Sequence, residues 1–333
     1  MTGMIAFTQK GSWYQACQML AWQFTKILGS IQKGAGTFNK WILWSWRVIF
    51  PSLKFISIRS VFEGFYMSGD PLYQKQGDLF IPTERTNSPW SPTLLHGGAI
   101  SGILAYGLEQ ALPDPDMHFI RITNDLFRPA PKQPFSLETE IVRDGSKICV
   151  ILCKLIVNEV EVARATGLAA KVQNIDLPEF AHCQAKTPPA HQDMSIRGFL
   201  GEKASEDKYI PGLNYAIDVK LISGFDFKGK GEAWLRMTSP LIDGEENSPL
   251  TYMGLLSDFG NGLGQAYLGG DNACINADIN INLYRYPESE WIHMESITQV
   301  QQQGFGTTET FFIDEKGPVG KVTQSLIVKP FLG

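Results

Sequence analysis

No aspartate or glutamate occurs before Glu63, although residues 1–62 carry seven lysines and arginines. The rest of the chain keeps 22 of the 29 basic residues and all 34 acidic ones, a balance of −12 inside a net charge of −5. So acidic a body disfavours a nucleic-acid partner. The five cysteines, Cys17, Cys149, Cys153, Cys183 and Cys274, form neither a CxxC pair nor a zinc spacing. Their odd number argues against a closed disulfide framework and for an intracellular setting, cytoplasmic or an organellar matrix. The five histidines are scattered and form no HExxH, so no metal site is expected. Neither GxxxxGK[ST] nor a strand-linked GxGxxG occurs, because the glycines at 260, 262 and 264 have the wrong spacing and no basic partner for phosphate. The chain is expected to work without a cofactor.

Long hydrophobic runs are missing too. In residues 1–62 the stretches "WYQACQMLAWQFTKIL" and "KWILWSWRVIFPSLKFI" repeat apolar and aromatic residues at helical spacing, but Arg47 and Pro51 interrupt the second. The uninterrupted pieces fall short of the ~20 residues that a bilayer crossing requires, and no small-residue cleavage site follows an apolar block. The segment reads as a basic, aromatic, helical extension. Three roles fit it: lying in a membrane interface with tryptophans at headgroup level, packing on the main body or a protein partner, or acting as an acid-free organellar targeting segment.

What is present beyond residue 62 is an internal repeat. Shifting the chain by 157 positions superposes Ser91–Lys171 on Ser248–Val328 without a gap and matches twelve residues, among them Ser91/Ser248, Gly97/Gly254, Gly107/Gly264 and Arg128/Arg285. Each half has a Ser-Pro turn, then a glycine-marked helix ("HGGAISGILAYGLEQAL", "GLLSDFGNGLGQAYL"), then long alternating runs. Period-2 alternation with short turns predicts antiparallel sheet. The fold class is α+β, a tandem double hot-dog in which one long helix lies across each sheet. The predicted domains are the extension at 1–62, a first repeat at 63–185 and a second at 186–333, with 172–215 reading as the linker.

Alternation also orients side chains. In "IHMESITQV" the apolar face carries Ile292, Met294, Ser296, Thr298 and Val300, so Thr298 points inward. In "KVTQSLIVK" the apolar face carries Val322, Gln324, Leu326 and Val328, so Gln324 does too. A buried glutamine or aspartate costs several kcal/mol unless its hydrogen bonds are satisfied, about 2–7 for an amide, which makes such residues candidates for a site. Asp258, in "LLSDFGNGLG", breaks a helical apolar pattern. The repeat supplies a control: the counterparts of Asp258, Thr298 and Gln324 are Ser101, Ile141 and Gly167.

Residues 63–333 resemble the double hot-dog acyl-CoA thioesterases of type II and their thioesterase-like relatives. The resemblance rests on "LLSDFGNGLG", "NADININLYRYPESEW", "MESITQ" and "DEKGPVGKVTQSLIVK" in the second half, and on "LLHGGAISGILA" and "LFRPAP" in the first. It implies an acyl-CoA substrate, with Asp258, Thr298 and Gln324 as the set that positions a water against the thioester. Such hydrolysis calls for a carboxylate to accept a proton and N–H donors for the oxyanion. Gly97 and Gly98 after His96, or Gly254 in the second half, are the candidate donors at helix starts, and attack by Asp258 itself to form an anhydride is the alternative route. The glycines at 260, 262 and 264 are expected to leave room for an acyl or pantetheine chain. Two other functions compete. "LLHGG" also resembles hot-dog enoyl-CoA hydratases, whose histidine pairs with an upstream aspartate, whereas "TERTNSPWSPTLL" offers only Glu84 and Asn87. A non-catalytic, acyl-binding or scaffold subunit of a membrane-associated complex is the other. An exposed sheet edge would also allow two chains to pair as a homo-oligomer.

Overall fold

The computed structural model describes residues 69–199 and 212–330. The extension at 1–62, for which a membrane surface or protein partner is one expectation, lies outside the described residues.

A short hairpin, β1 (Tyr73–Gln76) and β2 (Leu79–Pro82), precedes helix α1 (Gly97–Gln110). Four strands follow: β3 (Met117–Asp125), β4 (Ser136–Asp144), β5 (Ile148–Val157) and β6 (Val160–Lys171). The second repeat adds β7 (Arg197–Gly198), β8 (Ile217–Ser223) and β9 (Lys230–Met237), then helices α2 (Pro249–Leu256) and α3 (Phe259–Leu263). It closes with β10 (Asn272–Asn276), β11 (Asp278–Leu283), β12 (Ile292–Val300), β13 (Phe305–Asp314) and β14 (Gly317–Pro330). β13 and β14 begin 157 positions after β5 and β6, as the repeat requires.

Strands β3 to β14 form one antiparallel sheet in the order β4-β5-β6-β3-β11-β14-β13-β12-β9-β8-β7, with β10 also on β14. The halves meet edge to edge at β3 and β11. There Thr123 pairs with Asn280, its own counterpart 157 positions on, while the flanking pairs Asn124–Ile279 and Ile122–Ile281 exchange under the same shift. A local twofold axis therefore runs through the Thr123–Asn280 pair. Alternation holds: along β5 every second residue is buried, including Cys149, Ile151, Cys153 and Leu155. Helix α1 lies between the sheet and α2, and ten of its fourteen residues are buried.

The structure departs from two expectations. The second repeat has no single long helix: α2 starts at Pro249 behind the N-cap Ser248, whose hydroxyl accepts the Thr251 amide, and the helix is interrupted at Ser257 and Asp258 before α3 resumes. The later part of the expected linker is also not a loose connection. Trp234 Nε1–H donates to the Pro189 carbonyl at 2.9 Å, Lys220 Nζ donates to the His191 carbonyl at 2.9 Å, and β7 pairs with β8, so this stretch packs on the second repeat. Burial of His191 and Phe199, at 4% and 5% exposure, is the physical reason.

Candidate active site

The helix interruption gives the second repeat its distinctive polar residue. Asp258 follows the end of α2 without capping α3 with its side chain, and its carboxylate, 9% exposed, is turned onto the start of α1 in the other repeat. Oδ2 accepts the Gly98 amide at 2.9 Å and lies 2.9 Å from His96 Nδ1. Oδ1 accepts from Gln324 Nε2 at 3.3 Å and from Asn276 Nδ2. Three donors thus converge on one carboxylate, the Gly98 amide being shared with His96 Nδ1, which accepts it at 3.1 Å, and the positive end of the α1 dipole favours the charge. Gly97, whose amide at the first helical position has no intrahelical acceptor, is pressed against it: a Cβ there would come within 2.6 Å of Oδ2.

Gln324 is fully buried on β14, on the inward face. Its Oε1 accepts the Asn261 amide at 3.1 Å, and Asn261 Nδ2 donates to Asn276 Oδ1 at 3.1 Å. Both ends of the glutamine amide are therefore held, one by α3 and one by Asp258. Thr298, 7% exposed, also faces inward, but it lies two strands away. In register Thr298 on β12 pairs with Thr308 on β13, and Thr308 pairs with Gln324 on β14. The Thr298 hydroxyl bonds to the Thr308 hydroxyl at 2.7 Å. Asp258 and Gln324 are brought into contact; Thr298 is joined to their neighbourhood through Thr308.

The glycines at 260 and 264 have a different reason from the one expected, while a Cβ on Gly262 would press on the Phe199 ring at 3.0 Å. A Cβ on Gly260 would overlap Thr310 Oγ1 and come within 3.2 Å of Gln324 Oε1, and one on Gly264 would lie 3.2–3.3 Å from Ser296 and Thr298. The space belongs to the chain's own hydroxyls: the missing side chains let α3 sit directly on the polar face of β12–β14. Gly254 is likewise placed elsewhere. It lies inside α2, where a Cβ would meet the Ser101 carbonyl at 2.9 Å, so it belongs to the contact between α1 and α2 and not to a helix start.

Sequence reasoning missed Asn276, Asn261, Thr308 and Thr310. Thr308 and Thr310 were accessible to the alternation argument, since "FGTTETFFID" turns both inward and they are 0% and 2% exposed. The partnership of His96 with Asp258 was out of reach, because the expected carboxylate was upstream and the actual one comes from the other repeat. In the first repeat the counterpart of Gln324, Gly167, is packed against the ring of Phe119, so that half has neither the amide nor the space for one. Among the described residues no group of three or more His, Cys, Asp or Glu is placed to hold a metal ion, and no helix is long and apolar enough to cross a membrane.

Comparison with known proteins identifies the two repeats. The acyl-CoA thioesterase N-terminal domain family matches residues 86–170 and the acyl-CoA thioesterase C-terminal domain family matches residues 184–328. No curated protein sequence matches the chain. Among solved structures, a conserved protein of unknown function with a hot dog fold from Alicyclobacillus acidocaldarius is 14% identical, covers 80% of this chain and 98% of its own, and has a TM-score of 0.59. The acyl-CoA thioesterase II TesB2 from Mycobacterium marinum is 14% identical, with 78% and 96% covered and a TM-score of 0.56. The tesB protein from Mycobacterium avium subspecies paratuberculosis is 13% identical, with the same coverage and a TM-score of 0.55. At such identities the structures speak for the fold, while the two domain matches together span well over half of the chain: this protein belongs to the acyl-CoA thioesterase family and is a thioester hydrolase built as a tandem double hot-dog.

Proposed function

We propose that the enzyme hydrolyses a fatty acyl-CoA to the free acid and CoA, with Asp258 activating the attacking water. The observation that carries this reading is the Asp258 carboxylate of the second repeat seated on the first turn of α1 and bonded to Gln324. A carboxylate accepts at four lone-pair positions, and three donors occupy it, which leaves one for the attacking water. Gln324 holds it at the longest distance, 3.3 Å, and its amide is the group that follows the incoming water.

The water oxygen then bonds to the thioester carbonyl carbon while its proton passes to Asp258. The oxyanion takes N–H donation from the start of α1, where the Gly97 amide has no helical acceptor. Collapse breaks the carbon–sulfur bond, and the proton held by Asp258 goes to the departing CoA sulfur. His96, stacked on Phe259 at 5.5 Å between ring centroids, keeps Oδ2 in place. Thr298 and Thr308 order the polar floor beside Gln324. Phe199, 4.8 Å from Phe259, lends the site an aromatic flank suited to an apolar acyl group.

The test is release of free CoA from a series of acyl-CoA esters, followed by one turnover in ¹⁸O-labelled water. Label confined to the released acid supports water activation. Label in the Asp258 carboxylate would overturn it in favour of an anhydride, and no cleavage at any chain length would overturn the whole reading.

One contact favours a second reading. His96 does meet a carboxylate, Asp258, supplying the pair that hydration of an enoyl thioester requires. Crotonyl-CoA separates the two: family membership predicts CoA release and no hydration.

A further inference from the structure

Next to the carboxylate lies a second polar chain that the reaction does not touch. Asn124 on β3, Ser101 on α1 and Ser257 at the end of α2 are all 0% exposed. Asn124 Nδ2 donates to Ser101 Oγ at 3.1 Å and to the Ile279 carbonyl at 3.2 Å. Ser101 Oγ lies 3.1 Å from Ser257 Oγ, and Ser257 donates to the Gly254 carbonyl at 2.7 Å. Hydrogens fit in one direction only. Ser257 spends its proton on Gly254, so it accepts from Ser101, which accepts from Asn124.

The repeat again supplies a control. Under the 157-position shift Asn124 corresponds to Ile281 and Ser257 to Ile100, both buried and apolar. The fold therefore accepts hydrocarbon at two of these three places. The third, Ser101, is the counterpart of Asp258 itself. The polar version also carries a cost: Asn124 Oδ1 is buried with no hydrogen-bond partner, and such an atom is destabilising. Rotating its amide gives no relief, because the amide oxygen would then face the Ile279 carbonyl. A buried chain that apolar residues replace in the other half, and that leaves an acceptor unpaired, is not there for stability alone.

We propose that Asn124, Ser101 and Ser257 are positioning residues that fix the interruption between α2 and α3, and through it the aim of Asp258 at the start of α1. Ser257 directly precedes Asp258, and its hydroxyl binds the last turn of α2 to α1, the helix whose first amides receive the carboxylate. The chain crosses from the first repeat to the second, so it sets the very distance that the site depends on. This inference rests on Asp258 being the catalytic carboxylate.

Acyl-CoA hydrolysis by S257A, S101A and S101A/S257A, with D258N as reference, tests it. Each single variant is expected to lose about tenfold in kcat at unchanged KM, since small displacements of a reacting group cost up to about 100-fold. The double variant is expected to lose no more than the worse single one, because both cut the same chain. S101A places the best helix former within α1 and remains informative if S257A fails to fold. Full kcat in a folded S101A or S257A, or kcat losses that multiply in the double variant, would overturn the inference. So would losses in kcat that merely track falling Tm. If D258N itself turns over normally, the catalytic reading fails instead, and the two failures are distinguishable.

Discussion

Asp258→Asn is the sharpest perturbation of the site, because the carboxylate takes three N–H donors, from Gly98, Gln324 and Asn276. An amide accepts with its oxygen and donates with its nitrogen, so one side of the new side chain must face groups that donate. If the nitrogen takes the Oδ1 side, Asn276 and Gln324 have to turn their oxygens inward, and each then gives up a bond from Asn261. If it takes the Oδ2 side, a bare His96 Nδ1 can accept from it while still accepting the Gly98 amide at 3.1 Å. The first arrangement strands at least one donor, at about 1–3 kcal/mol of stability, whereas the second strands none, so about 3 kcal/mol is the upper bound on the stability loss. Loss of the base removes about 10²- to 10⁴-fold from kcat, which is about 2.7–5.4 kcal/mol of barrier at 1.36 kcal/mol per decade. The activity loss should therefore exceed what the stability loss explains. Thiol release from acyl-CoA gives the first quantity and urea titration gives the second. A folded D258N with wild-type turnover would refute the reasoning, and so would an inactive D258N whose loss disappears once the unfolded fraction is discounted.

Gly260→Ala should lower stability by about 1–3 kcal/mol through overpacking, since its Cβ would overlap Thr310 Oγ1 and crowd Gln324 Oε1. Urea midpoints measure this, and an unshifted midpoint would show that α3 does not lie directly on β13. Away from the site, Glu109 accepts from the Ser248 hydroxyl and from the Thr251 hydroxyl at 3.2 Å, and burial pushes its carboxyl above the usual 4.5. The folded protein thus holds this proton to a higher pH than the unfolded chain does. Its contribution is present below the unfolded value and is lost as pH rises through the folded one. Relative to Glu109→Gln, the wild type should lose stability as pH climbs above the usual 4.5, and parallel pH profiles in urea titrations would refute this.

The repetition and the strand alternation were legible because both are local or periodic. The 157-position shift placed β13 and β14 correctly, and period 2 turned Thr298 and Gln324 inward, as their burial records. What escaped were contacts that only chain closure creates. Asn276 ends a short strand and looks like any strand-end residue until Asp258 is brought to it. The break after Ser257 escaped because the hydroxyl that binds it answers to a helix in the other half. The glycines of α3 misled for a related reason: an absent side chain reads equally as space for a ligand or as space already taken by a neighbouring strand.

The twofold register at Thr123 and Asn280 makes chemistry a late event in the life of each molecule. The two halves share one hydrocarbon core, and the aspartate finds its amides only when the two central strands zip together across the axis. During refolding, tryptophan fluorescence and strand content should recover ahead of thioester cleavage. Separately expressed halves should regain turnover with a rate that depends on their concentration, so catalysis reports on the mating of the halves more faithfully than any spectroscopic signal.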